Sequence, residues 1–223
     1  MNQLEIACFN LDAAVIAQEN GADRVELCAE MEVGGTTPDL EITKQVRNLI
    51  TIDLNVMIRP RGGNFVYNMN EIMFMYLDII EMKKVGVNGF VFGVLTNDNK
   101  IDIAVNKSLV ELAQPFPCTF HRAFDEVSDA FQALEDIIDC GFQTILTSGQ
   151  KTNVMEGANR LAVLVSKANN RIIIMPGGGL RATNIEFIQE KTKAIFYHSS
   201  AITDGSETAN TEEIQQLKSK LNV

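Results

Sequence analysis

The chain has 223 residues, of which 46% are hydrophobic and 22% charged, and a formal net charge of −10. That length and apolar content suffice for a well-buried core and exclude a disordered or low-complexity chain; no linker-like stretch divides residues 1–223, which are read as one domain. The acidic balance excludes sequence-independent binding to nucleic acid, which needs lysines and arginines to displace counterions, but leaves open a local basic site for a small anion.

From the N-terminus, MNQLEIACF lacks a basic segment followed by a long apolar one, and no run of about 18 apolar residues occurs anywhere. This predicts a cytosolic chain with no membrane partner. Short apolar runs then alternate with longer amphipathic stretches, as when parallel strands are separated by covering helices. Strands are predicted at 4–8 (LEIAC), 24–28 (RVELC), 54–59 (LNVMIR), 89–93 (GFVFG), 117–121 (PCTFH), 143–147 (QTILT), 171–175 (RIIIM) and 194–198 (AIFYH), with helices between them. The helix near 38–49 is predicted to start at TTPDLE, with Thr37 as N-cap and Pro38 at its first position. NGADRVEL, VGVNGFVF and CGFQTILT form a weak internal repeat in which Gly21, Gly86 and Gly141 would end a helix in the left-handed conformation. Eight such units predict an α/β fold, a single-domain (β/α)8 TIM barrel. A doubly wound sheet is the alternative, but no G-x-G-x-x-G follows the first strand.

In such a barrel, ligand chemistry sits where strands end. Cys28 ends the second strand, Arg59 the third, His121 and Arg122 the fifth, Thr147 and Ser148 the sixth, and His198 the eighth; Asp125 lies just beyond the fifth. Charged residues in mid-strand are expected to point into the barrel, because helices cover the outer face. Glu5 and Glu26 would therefore face inward, either as acid/base groups or as members of a buried ion-pair network. MPGGGLRATN (175–184) follows the seventh strand and is predicted to open a helix, so the amides of Gly177, Gly178 and Gly179 could cradle an oxyanion. RPRGGNF adds Arg59 and Arg61 on another rim loop, and a phosphate- or carboxylate-bearing ligand is expected.

Several motifs are excluded. HRAFD has the wrong spacing for a kinase H-R-D, TSGQ lacks the G-x-S-x-G elbow, and no H-x-H or H-E-x-x-H offers an intrinsic metal pair. Cys8, Cys28, Cys118 and Cys140 show no CxxC, so free thiols are expected. Cys8 and Cys28 belong to neighbouring strands and would suit Cu(I) if they converged. Their parity opposes this: with Glu5 inward, Cys8 faces outward unless the strand has ended.

LEIACFN, GADRVELCAEMEVGGTTP, VMIRPRGGNFVY, FGVLT, FHRAFD, ILTSGQ and IIIMPGGGLRA together resemble the CutC family, described as copper homeostasis proteins, from about residue 3 to residue 203. The resemblance implies a TIM barrel, a cytoplasmic location, a homodimer and Cu(I) bound through Cys8 and Cys28, with no organic cofactor. FYHSSA departs from many barrels by lacking a second glycine-rich turn. Two functions follow. One is a copper carrier or buffer. The other is an enzyme acting on a small anionic metabolite, in which Arg59, Arg61 and the 177–179 amides hold the anion with Arg122, Ser148 and His198 nearby, His121 and Glu26 exchange protons, and Asp125 orients His121 or Arg122.

Overall fold

The computed structural model describes residues 2–221. Strands and helices alternate along it: β1 (Gln3–Cys8), α1 (Leu11–Glu19), β2 (Arg24–Leu27), α2 (Leu40–Leu49), β3 (Asp53–Met57), α3 (Met69–Val85), β4 (Gly89–Phe92), α4 (Ile103–Ala113), β5 (Cys118–Phe120), α5 (Ala130–Cys140), β6 (Thr144–Thr147), α6 (Val154–Ala168), β7 (Ile173–Pro176), α7 (Ile185–Thr192), β8 (Phe196–Ser199) and α8 (Thr211–Leu221). The strands form one parallel sheet in the order β7-β6-β5-β4-β3-β2-β1-β8, and β7 lies beside β8, so the sheet is a nearly closed barrel. Every predicted strand overlaps an observed one. Gly21, Gly86 and Gly141 all take positive φ, as the repeat requires. Among the described residues, no helix is long and apolar enough to cross a membrane.

Strand alternation sorts the core into two layers. Leu4, Ile6 and Cys8 on β1, with Val25 and Leu27 on β2, join the large apolar layer between sheet and helices. The opposite parity fills the barrel with smaller clusters, Cys28, Met57 and Val91 in one and Leu146, Met175 and Phe196 in the other. Glu5 and Glu26 share this inward parity and are buried.

The start of α2 differs from expectation. Asp39, not Thr37, is its N-cap, accepting from the amides of Glu41 (2.7 Å) and Ile42 (3.2 Å). Pro38 therefore precedes the helix. Thr37 is committed elsewhere: its amide donates to the Arg59 carbonyl and its Oγ1 accepts from the Arg59 amide, each at 2.9 Å, which ties the loop after β2 to the end of β3. A carboxylate at the cap also meets the positive end of the helix dipole.

Asp39→Ala is expected to cost about 1 kcal/mol of stability by loss of this cap, read as a lower urea midpoint. An unchanged midpoint would return the cap to Thr37.

Candidate functional site

The carboxyl ends of the strands surround a cavity of about 410 Å³. One wall is acidic and soft, with Glu26, Cys28, Met31, Met57 and His198. The facing loops contribute Arg122, Gly178, Gly179 and Arg181, and Phe9, Phe65 and His121 complete the rim.

Beneath the acidic wall lies a charged network. Glu5 accepts from Arg24 Nε (2.5 Å) through one oxygen and pairs with His198 Nδ1 (2.8 Å) through the other. Glu5 stands in mid-strand whereas His198 is near the end of β8, yet their Cα atoms are register partners. Barrel stagger makes them neighbours. Burial alone would raise the Glu5 pKa, but Arg24 and His198 overcome it and hold the carboxyl at about 2. Glu5 is thus ionised, and His198 donates to it from Nδ1, leaving Nε2 turned to Glu26 Oε2 at 3.7 Å. Burial lowers the His198 pKa, but the two carboxylates reverse this and raise it. Glu26 is the opposite case. Burial, with repulsion from Glu5, outweighs the pull of His198 and Arg24 and lifts its pKa to about 7. Its Oε1 is buried without a hydrogen-bond partner.

His121 follows β5 and caps the 3-10 turn Arg122–Glu126: its Nδ1 accepts the Ala123 amide at 3.3 Å. Its ring packs on Phe65, centroids 4.7 Å apart. Burial, helped by the Arg59 charge, holds its pKa at about 3. His121 is therefore a neutral hydrogen-bonding group near pH 7. Two glycines make room for the histidines. A Cβ on Gly93 would come within 2.9 Å of His121 Nδ1, and one on Gly177 within 3.1 Å of His198 Cβ.

Several other expected residues have polar groups that are already occupied. Arg61 turns to the start of α3, bonding Glu71 Oε1 (2.6 Å) and the carbonyls of Gly62, Asn64 and Val66. Arg59 reaches the cavity wall but spends Nη1 and Nη2 on the carbonyls of Val33, Gly35 and Gly63; only Nε lacks a partner. Asp125 is a loop hub. It accepts from Arg122 Nε (2.9 Å), from Thr147 Oγ1, and from the amides of Ser148 and Gln150, and makes no bond to His121. Ser148 is fully buried and bonded to Asp125 and the Lys151 carbonyl. The Gly177 amide donates to the Thr147 carbonyl (3.0 Å). The 177–179 loop does not open directly into a helix, since α7 begins only at Ile185. Gly178 and Gly179 nevertheless face the cavity at φ 99° and 72°, and among the described residues their amides donate to no backbone carbonyl.

The two expected metal ligands separate. Cys28 opens onto the cavity within hydrogen-bonding reach of Glu26, whereas Cys8 lies in the outer apolar layer with its thiol on the Ile6 carbonyl (3.6 Å). Burial and nearby carboxylates raise both thiol pKa values well above their ordinary range. Glu5, Glu26 and His198 each place a donor atom within 4.8 Å of the others. Sequence reasoning missed Arg181, Phe9, Phe65 and Met31 at the cavity. Arg181 was visible in GGGLRA, but nothing local marked its direction.

The pKa shifts predict opposite pH behaviour for the two carboxylates. Glu5 lies below its ordinary 4.5, so its contribution is present above that pH and is lost as pH falls towards 2. Glu26 lies above 4.5, so stability falls as pH rises from 4.5 through about 7. Glu26→Gln is expected to stabilise the fold at pH 8 by on the order of 1–3 kcal/mol, and by less at pH 5, while Glu5→Gln destabilises it at both. Urea unfolding at the two pH values checks this, and a Glu26→Gln protein weaker than wild type at pH 8 would make Glu26 a structural ion-pair member.

Comparison with known proteins covers most of the chain. The model of the CutC family matches residues 2–203. A family protein CutC from Parabacteroides distasonis is 46% identical over 199 residues, covering 89% of this chain and 82% of that protein. The human copper homeostasis protein cutC homolog is 42% identical over 198 residues, covering 89% of this chain and 72% of its own. The crystal structure of a CutC protein from Streptococcus agalactiae superposes with a TM-score of 0.86 at 36% identity, covering 90% of this chain and 99% of that one. With a sequence match over residues 2–203 and the same barrel in three dimensions, this chain belongs to the CutC family.

Proposed function

We propose that the chain serves copper homeostasis by holding Cu(I) at the barrel mouth, with the Cys28 thiolate as anchoring ligand. The observation that carries this is the position of Cys28, which faces the cavity and packs against Met57. Thiolate and thioether are soft donors suited to Cu(I), and Met31 lines the same cavity. The site so drawn has one cysteine, because Cys8 points into the layer beneath the helices. A cytosolic location fits the four free cysteines. A homodimer is supported by the outer face of α3, where Met69, Met73, Phe74 and Leu77 stand exposed. The protein would work as a carrier or buffer without an organic cofactor.

The raised Cys28 pKa means that copper must displace a proton. Titration with Cu(I) against a competing chelator should show affinity falling at least tenfold in Cys28→Ser and staying near wild type in Cys8→Ser. Apparent affinity should also rise about tenfold per pH unit near neutrality. Unchanged affinity in Cys28→Ser would sink the proposal.

A second reading, an enzyme or binder of a small anionic metabolite, is favoured by a separate observation. Glu26 Oε1, Arg59 Nε and His121 Nε2 are buried without partners, and all three residues line the cavity. Each such atom costs about 1–3 kcal/mol unless a ligand or water satisfies it. Arg122, Arg181 and the amides of Gly178 and Gly179 supply the positive side. Phosphorylated sugars and small carboxylates should raise the melting temperature above matched salt controls, and less so in Arg122→Gln. A flat screen would remove this reading and leave the first standing.

A further inference from the structure

The loops after β7 and β8 meet at one side of the cavity, where Gly178, Gly179, Arg181 and Ser200 line it together with Arg122 from the turn after β5. The carbonyls of the first loop are turned to the helices: Gly178 accepts the Val154 amide at the start of α6 (2.9 Å), and Gly179 accepts Asn184 Nδ2 (2.9 Å). In a trans peptide the following amide points the opposite way. The Gly179 N–H is therefore directed away from α6, and among the described residues neither it nor the Gly178 N–H has an acceptor. Such a cradle needs glycine. Both residues take positive φ, and a Cβ on Gly178 would stand 3.1 Å from Arg122 Cζ and 3.2 Å from its Nη1. The missing side chain thus lets the Arg122 guanidinium lie beside the Gly178 backbone. Its Nε and Nη2 are held by Asp125 and Ser148, which leaves Nη1 to a ligand.

The loop after β8 has no glycine at its turn, yet it takes the conformation a glycine would allow. Ala201 adopts φ 52°, a left-handed state unfavourable to a residue with a Cβ. Its amide on Ser199 Oγ (3.0 Å) and its carbonyl on the Asn210 amide (2.8 Å) hold it there. Arg181 then clasps the two loops, donating from Nη1 to the Leu180 carbonyl (2.8 Å) and Ser199 Oγ (3.2 Å) and from Nη2 to the Ile202 carbonyl (3.0 Å). All three acceptors are neutral, so they leave its charge uncancelled. Ser200 adds a hydroxyl at the cavity surface, whose proton has no acceptor among the described residues.

Charge and shape together select the ligand. Two amides, Arg122 Nη1 and the Ser200 hydroxyl are donors arriving from three loops, next to the positive charge of Arg181. A carboxylate is planar and offers two oxygens, whereas a phosphate monoester carries a charge of about −1.5 to −2 near neutrality and three terminal oxygens that point in different directions. We infer that the cavity takes a phosphate monoester, its phosphoryl group seated between the loops after β7 and β8 on the amides of Gly178 and Gly179, Arg122 Nη1 and the Ser200 hydroxyl. Arg181 supplies the fixed charge beside them. The inference rests on the anionic-metabolite reading above and decides which anion is bound and where.

The test uses the full chain labelled with 15N-glycine and three probes: inorganic phosphate, glycerol 3-phosphate and glycerate, which carries a carboxylate in place of the phosphate. NMR should show the amide protons of Gly178 and Gly179 moving downfield with both phosphate probes. Calorimetry should show glycerol 3-phosphate binding about tenfold or more tighter than glycerate, the worth of one further charge-assisted hydrogen bond. Its affinity should fall about tenfold in Arg122→Gln by the same loss, and should also fall in Ser200→Ala with the melting temperature of the free protein unchanged. Glycerate binding as tightly as glycerol 3-phosphate, phosphate binding that leaves both glycine amides unmoved, or unchanged affinity in both variants would overturn the inference and leave the anionic-metabolite reading standing. If none of the three probes binds, that reading falls with it.

Discussion

The ion network of Glu5, Arg24 and His198 is the constraint around which the barrel mouth is arranged. It joins three consecutive strands of the sheet, β8, β1 and β2, with side chains that all point into the lumen. A carboxylate so deeply buried is costly unless its oxygens are satisfied, and here one faces a guanidinium and the other an imidazole. Glu5 is thereby ionised, His198 is fixed in orientation, and Glu26, one strand away, is left with the repulsion of Glu5 and no bond on Oε1. The raised proton affinity of Glu26 comes first from its own burial, and the ionised Glu5 adds to it.

The arginines divide along similar lines. Arg59 and Arg61 bind mainly backbone carbonyls of the loops after β2 and β3, groups that would otherwise be unpaired where the chain leaves the sheet. Arg122 is held by Asp125 and Ser148 but remains partly exposed at the rim. The loops are thus rigid frames for two histidines whose space is secured by Gly93 and Gly177. A rigid frame suits a site that holds a ligand in fixed geometry.

Soft donors and unpartnered polar atoms occupy different parts of one cavity. Cys28 and Met57 are soft donors on one wall; Glu26 and His121 offer an acceptor and a donor suited to organic oxygen. Glu26 touches both, because its carboxylate lies within reach of the Cys28 thiol and helps to keep that thiol protonated. The two sets therefore meet at the Glu26 carboxylate.

Much of this was legible in the sequence. The repeat of apolar strand and amphipathic helix specified the barrel, since the period of each element is a local property of the chain. Strand parity put Glu5, Glu26, Cys28 and His121 inside and Cys8 outside, because side chains alternate with period 2. Strand ends marked the rim at which the cavity lies. The tertiary structure alone decided which groups meet. Barrel stagger brought Glu5 level with His198, 193 residues away, and side chains chose partners by reach, turning Arg61 and Asp125 to loop backbone and Arg181 to the Leu180 and Ile202 carbonyls beside the cavity. Charge states followed from those meetings, so two glutamates indistinguishable by sequence ended with pKa values of about 2 and about 7. Periodicity is written in neighbouring residues, whereas electrostatics depends on what the closed barrel places within a few ångströms.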